Sequence, residues 1–118
     1  MISNVFVAIV ALEHVYILVL EMFLWTSPRA MRAFGTDKLF AEQTRSLAAN
    51  QGLYNGFLAA GLVWGLLHPN DGTGDQIQLF FLCCVLAAAI YGGLSAKRSI
   101  LIIQGLPALA ALLLLLLT

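Results

Sequence analysis

Residues 10–25 read V-A-L-E-H-V-Y-I-L-V-L-E-M-F-L-W, inside an apolar run that begins at the N-terminus. Two carboxylates and an imidazole, Glu13, His14 and Glu21, interrupt that run. Crossing a bilayer takes about 20 apolar residues at 1.5 Å each, and residues 5–25 are long enough to do so. Charged side chains at bilayer depth cost about 2.5–3.5 kcal/mol each on insertion scales and almost always face a protein interior or a wet cavity. The stretch therefore predicts a membrane helix with an ionisable site along one side.

Composition supports the bilayer as solvent. The chain has 118 residues, 61% hydrophobic and only 10% charged, with a mean hydropathy of +0.92. A soluble domain carries about 25% charged and 45–50% apolar residues, and so short a chain cannot bury this much apolar surface in one soluble core. The formal net charge is zero. With no basic tail and no RNA-binding signature, nucleic acid is not an expected partner. Cys83 and Cys84 are neighbours with no further soft ligands close in sequence, and read as two small buried apolar side chains. No metal or cofactor is expected. The two histidines, His14 and His68, lie at different depths, which argues against a bis-histidine haem. The N-terminus lacks a positive n-region and its apolar run outlasts an h-region, so it reads as a retained helix rather than a signal peptide.

Taken in order, the chain predicts one all-α domain over residues 1–118. It is a polytopic membrane protein, a bundle of four transmembrane helices at about 4–25, 47–67, 76–96 and 99–118, with a short interfacial helix between spans one and two. Ser3 and Asn4 can start the first helix, and Trp25 closes it at an interface. Ser27 reads as an N-cap before Pro28, Gly35 ends that short helix, and Thr36 can cap the next, with Asp37 on the favourable side of its dipole. Residues 37–45 are amphipathic and are expected at the membrane surface. His68-Pro69-Asn70-Asp71-Gly72 reads as a turn, and His68 as solvated. Arg29, Arg32, Lys38 and Arg45 lie between spans one and two, and Lys97 and Arg98 between three and four. The remaining loop has only Asp71 and Asp75. The positive-inside rule then makes the basic side cytoplasmic and puts both termini outside, in a cell inner membrane.

On a wheel of about 100° per residue, Glu13, His14 and Glu21 share an arc of roughly 100°. In span two, Asn50, Gln51, Tyr54 and Asn55 fall on one hydrogen-bonding face, continued by Gly61 and Gly65, which is expected to meet span one. Gly52 and Gly56, a G-x-x-x-G pair, lie on the opposite side and read as a close-packing position. Counting depth, Glu21 comes level with Asn50, Gln51, Tyr91 and Gln104. Glu13 and His14 come level with Phe57, Leu58 and Pro107, whose ring leaves a span-four carbonyl without its usual partner. The expected result is a polar pocket open to the cytoplasm, Glu21 near its mouth and Glu13-His14 toward its floor.

Glu13, His14 and Glu21 are the candidate catalytic or proton-carrying groups, able to exchange protons near neutral pH as a coupled set. Tyr16, Asn50, Gln51, Tyr54, Asn55, Tyr91 and Gln104 are the candidate ligand-binding ones. Two classes of function use such a set. One is an intramembrane enzyme or binding protein for a small or lipid-like molecule, with isomerase-type proton shuttling. The other is a proton-coupled transporter of small cations, and an accessory or structural subunit is a third reading. A homo-oligomer that completes the pocket fits any of them. The size, four spans and early Glu13 resemble the small multidrug resistance transporters in architecture, but the compact loops and usual motif around the carboxylate are absent. E-H-V-Y-I-L-V-L-E-M-F-L-W (residues 13–25) and N-Q-G-L-Y-N-G-F-L-A-A-G-L (residues 50–62) resemble the two signature segments of domain of unknown function 1304, a family of small four-span bacterial membrane proteins. That resemblance covers essentially the whole chain and implies the membrane fold. It implies no activity, so Glu13, His14, Tyr16, Glu21, Asn50, Gln51, Tyr54 and Asn55 carry over as signature positions without roles.

Overall fold

Capping side chains set where the helices begin and end. In the computed structural model, which describes residues 2–118, the first helix α1 (Ile2–Met22) stops three residues short of Trp25. Ser27 then caps α2 (Pro28–Phe34), its hydroxyl accepting from the Ala30 N–H at 3.3 Å, and Gly35 closes α2 with a left-handed φ of 69°. Asp37, not Thr36, caps α3 (Lys38–Gln43), accepting from the Phe40 N–H at 2.8 Å. A carboxylate is the stronger acceptor for an orphan N–H, and the Thr36 hydroxyl is left buried with no partner.

After a break at Thr44 the chain enters α4 (Arg45–Leu67). The next helix, α5 (Asp71–Ser95), starts at Asp71 rather than at residue 76, because Asn70 caps it by accepting from the Thr73 N–H at 2.9 Å. Gly72, read from sequence as part of a turn, is therefore helical, and so is Gly74. The last helix, α6 (Arg98–Leu117), widens into a π-helical turn over Leu101–Gly105 just before Pro107. A wider turn rearranges the backbone bonding where proline has no N–H to give.

Among the described residues there is no strand, and three helices, α1, α5 and α6, are long and apolar enough to cross a membrane. The expected set was four. With 23 residues, α4 has the length, but Arg45, Asn50, Gln51 and Asn55 make its first half polar.

The chain divides into two compact units, Met1–Glu13 with Leu58–Thr118, and His14–Phe57. In the first, Val7, Val10 and Ala11 of α1, Leu62 of α4, Leu82 and Val85 of α5, and Ala108 and Ala111 of α6 form a buried apolar cluster. Helix α5 buries Gly74, Gln78, Leu82, Val85, Ala89 and Gly93, a stripe spaced at three and four residues. Small residues let backbones approach: a Cβ on Gly93 would lie 3.3 Å from the Leu101 Cα, and one on Gly74 would lie 2.6 Å from the Gly65 carbonyl oxygen. Both cysteines are free, but Cys83 is exposed on α5 and Cys84 half-buried, so the expected burial is at most partial. In the second unit Ile17, Leu20, Ala30, Ala41 and Ala48 are buried. Trp25 is tied in from its turn, donating its indole N–H to Thr44 Oγ1 at 3.1 Å with its ring 4.9 Å from that of Phe34.

Candidate functional site

In the unit formed by His14–Phe57, α1 and α4 meet on glycine. A Cβ on Gly52 would lie 3.0 Å from the Glu21 Cβ and 3.2 Å from the Leu18 carbonyl oxygen. One on Gly56 would strike the Leu18 side chain at 2.6 Å. The G-x-x-x-G pair is thus the surface that receives α1, in keeping with its reading as a packing position. The polar face was expected there instead. Asn50, Gln51 and Tyr54 are exposed, Tyr54 by 59%.

Asn55 lies between the two faces and reaches α1. Its Nδ2 donates to Glu21 Oε1 at 2.6 Å and to the Gln51 carbonyl oxygen, one turn earlier, at 3.3 Å. Glu21 is only 2% exposed. At 2.6 Å, this carboxyl–amide bond across two helices that meet at glycine is shorter than the Trp25–Thr44 and Arg29–Tyr16 side-chain bonds of the same unit. His14, two turns earlier on α1, is also buried at 1%.

The other predicted residues fall elsewhere. Tyr16 is exposed, and its hydroxyl accepts from Arg29 Nη1 at 3.2 Å. That bond shifts the Arg29 guanidinium further above its ordinary range. Glu13, Tyr91 and Gln104 belong to the other unit. Glu13 is half-buried and its Oε1 has no hydrogen-bond partner, Tyr91 is 75% exposed, and Gln104 is half-buried in the π-helical turn of α6.

That unit also holds two cavities of about 330 Å³ each. One lies among apolar and aromatic side chains including Trp64, Ile77, Phe80 and Phe81. The other is polar and gathers helix ends: Ser3 and Asn4, His68, Asp71, Asp75 and Gln78 all line it. Sequence reasoning passed over this second group, taking Ser3 and Asn4 as helix starters and His68 and Asp71 as a turn. The legible signal was Asp71, Asp75 and Gln78 at i, i+4 and i+7, one face of a helix that begins earlier than expected.

Comparison with known proteins places the chain. A family model described as a protein of unknown function, DUF1304, matches residues 8–116. The chain belongs to the DUF1304 family. An uncharacterized protein YpaA of Lactococcus lactis subsp. lactis (strain IL1403) is 33% identical over 106 residues, covering 88% of this chain and 87% of that protein. No solved structure matches. The DUF1304 match takes in Glu21, Asn55, Gly52 and Gly56, whereas Ser3, Asn4 and Thr118 of the polar cavity lie outside it.

Proposed function

We propose that this is a four-span inner-membrane protein that binds a small or lipid-like molecule through proton-active groups on α1 and polar groups on α4. The single observation behind this reading is Glu21, 2% exposed on the predominantly apolar helix α1 and hydrogen-bonded at 2.6 Å to Asn55. Ionisable residues inside membrane segments are costly, and they mark substrate paths and proton relays. Beside that contact, Asn50, Gln51 and Tyr54 present uncovered hydrogen-bonding groups. Asn50 lies five residues into α4, about 7.5 Å along the axis, a depth suited to a lipid headgroup. A lipid-like molecule would leave its chain in the bilayer and give its polar head to these groups. A proton held on Glu21 or His14 is then within the same unit as the bound head, which fits isomerase-type chemistry as well as simple binding.

In this reading α4 is the fourth span, its polar half covered by ligand, all six Lys and Arg residues face the cytoplasm, and both termini lie outside. The test is mass spectrometry of molecules co-purified with the protein from native membranes. The wild type is expected to carry a defined lipid-like species above the bulk phospholipid, reduced severalfold in Glu21→Gln and Tyr54→Phe. Bulk phospholipid alone in all three would overturn binding. Flux of an organic cation into proteoliposomes, driven by a pH gradient and lost in Glu21→Gln, would make the same groups a transport site instead.

A further inference from the structure

The unit formed by His14–Phe57 carries more positive charge than its own carboxylates offset. Its basic residues are Arg29, Arg32, Lys38 and Arg45, all exposed, and its acidic ones are Glu21, Asp37 and Glu42. Glu21 is buried against Asn55, and Asp37 is engaged in capping α3. That leaves Glu42 against four exposed cations.

Arg29 occupies the first turn of α2, where the helix dipole disfavours a cation. Its side chain turns to α1, donating from Nη1 to the Tyr16 hydroxyl at 3.2 Å. A phenol oxygen is neutral, so this bond orients the guanidinium without offsetting its charge. Tyr16 stands about 9 Å before the end of α1 at Met22. Arg29 is thus drawn back along a helix long and apolar enough to cross a membrane, where an uncompensated charge is costly. Arg32, three residues on, shares the exposed side of α2. A guanidinium carries a planar fork of N–H donors that matches a phosphate, and the bond to Tyr16 leaves most of that fork to offer.

Apolar surface borders these charges. Tyr16, Val19 and Phe23 fall on one stripe at i, i+3 and i+7, with Tyr16 47% and Phe23 70% exposed. Phe23 continues the helical run, its N–H donating to the Val19 carbonyl oxygen at 3.0 Å. Helices α2 and α3 bury the small Ala30 and Ala41 and leave the larger Leu39 and Phe40 exposed. Alanines inside and large apolar side chains outside suit an element that faces acyl chains. A free phosphate would meet the charge and leave the stripe bare, and a neutral lipid would do the reverse. We infer that this surface holds an anionic phospholipid, its phosphate between the guanidinium groups of Arg29 and Arg32 and an acyl chain along Tyr16, Val19 and Phe23. The site does not rest on the Glu21–Asn55 contact, since Tyr16 lies about 140° from Glu21 around α1.

The experiment is native mass spectrometry of the delipidated full-length protein in neutral detergent, titrated with phosphatidylglycerol, phosphatidylcholine and glycerol phosphate. Phosphatidylglycerol is expected to bind in preference to the other two. That preference should fall about fivefold in Arg29→Gln and further in Arg29→Gln/Arg32→Gln. Both arginines are exposed, so neither substitution disturbs packing. The variant Lys97→Gln/Arg98→Gln removes the same charge elsewhere and should keep the preference, as should Tyr54→Phe on α4. Equal binding of phosphatidylcholine, or a preference unchanged in the Arg29/Arg32 variant, would overturn the site. So would an equal loss in the Lys97/Arg98 variant, which would make the effect one of total charge. Loss in Tyr54→Phe would move the lipid to the α4 face, and equal binding of glycerol phosphate would remove the acyl chain from the site; either overturns the assignment.

Discussion

At Glu21 two demands meet. The side chain is nearly inaccessible, and Asn55 Nδ2 donates to it at 2.6 Å. Leaving a buried acceptor unmade costs about 1–3 kcal/mol, whereas removing both members of a pair for apolar groups of like shape is close to neutral. Asn55→Leu is therefore expected to lower stability by about 1–3 kcal/mol in thermal unfolding in detergent. Glu21→Gln keeps an acceptor for Asn55 and is expected to cost less. The double variant Glu21→Met/Asn55→Leu is expected to recover part of the loss. If the double variant is as damaged as Asn55→Leu plus Glu21→Met added together, the two side chains are not coupled and the contact holds nothing. Gln78 differs from Glu21 in kind: its donor half is satisfied at Gly65 while its acceptor half is not.

Scaled up to the helices, α4 meets α1 on its bare side. Glycine there permits contact at backbone distance, and the two positions differ in what a methyl group would strike. At Gly52 the neighbours include the Leu18 carbonyl oxygen at 3.2 Å and the Glu21 Cβ at 3.0 Å, neither free to move. At Gly56 the obstacle is the Leu18 Cδ1 methyl, the far end of a flexible side chain. Overpacking costs about 1–3 kcal/mol where neighbours cannot yield. Gly52→Ala should fall in that range and Gly56→Ala below it, as read by unfolding midpoints; equal or reversed losses would refute the glycine contact as drawn. This packing also explains what could be read from the chain beforehand. The apolar runs, the Ser27-Pro28 start and the Gly35 stop are local signals, and the helices follow them. Which side of α4 faces α1 is not local: the wheel groups Asn50, Gln51 and Tyr54 with Asn55, but close approach of backbones outweighs pairing of polar side chains. Asn55, at about 140° from Asn50 on the wheel and beside Gly52 and Gly56, belongs to both sides. The start of α5 was hidden for a related reason, since Asp71 and Gly72 read as turn residues until Asn70 is seen to cap a helix running through them.

For the whole molecule, four spans require α4 to cross a membrane beside α1, α5 and α6, each of which is long and apolar enough to do so. Its length of 23 residues spans about 34 Å, enough for a hydrocarbon core of about 30 Å. Its polar residues all fall in the first half, near the basic loop, and its second half from Phe57 to Leu67 is apolar apart from glycine. The distribution of charge argues in the same direction. If α4 crosses, the basic segment of α2 and α3 and the acidic start of α5 stand on opposite faces of the membrane, as the positive-inside rule favours. If it does not, Asp71 and Asp75 share a face with Arg29, Arg32, Lys38 and Arg45. Single cysteines separate the two arrangements, at Arg32→Cys and Thr73→Cys, each in a background with Cys83 and Cys84 replaced by alanine; both positions are exposed. An impermeant maleimide added to intact cells is expected to label position 73 readily and position 32 only after the membrane is opened. Labelling of both from outside, or of neither, would put the two segments on one face and remove α4 from the spans.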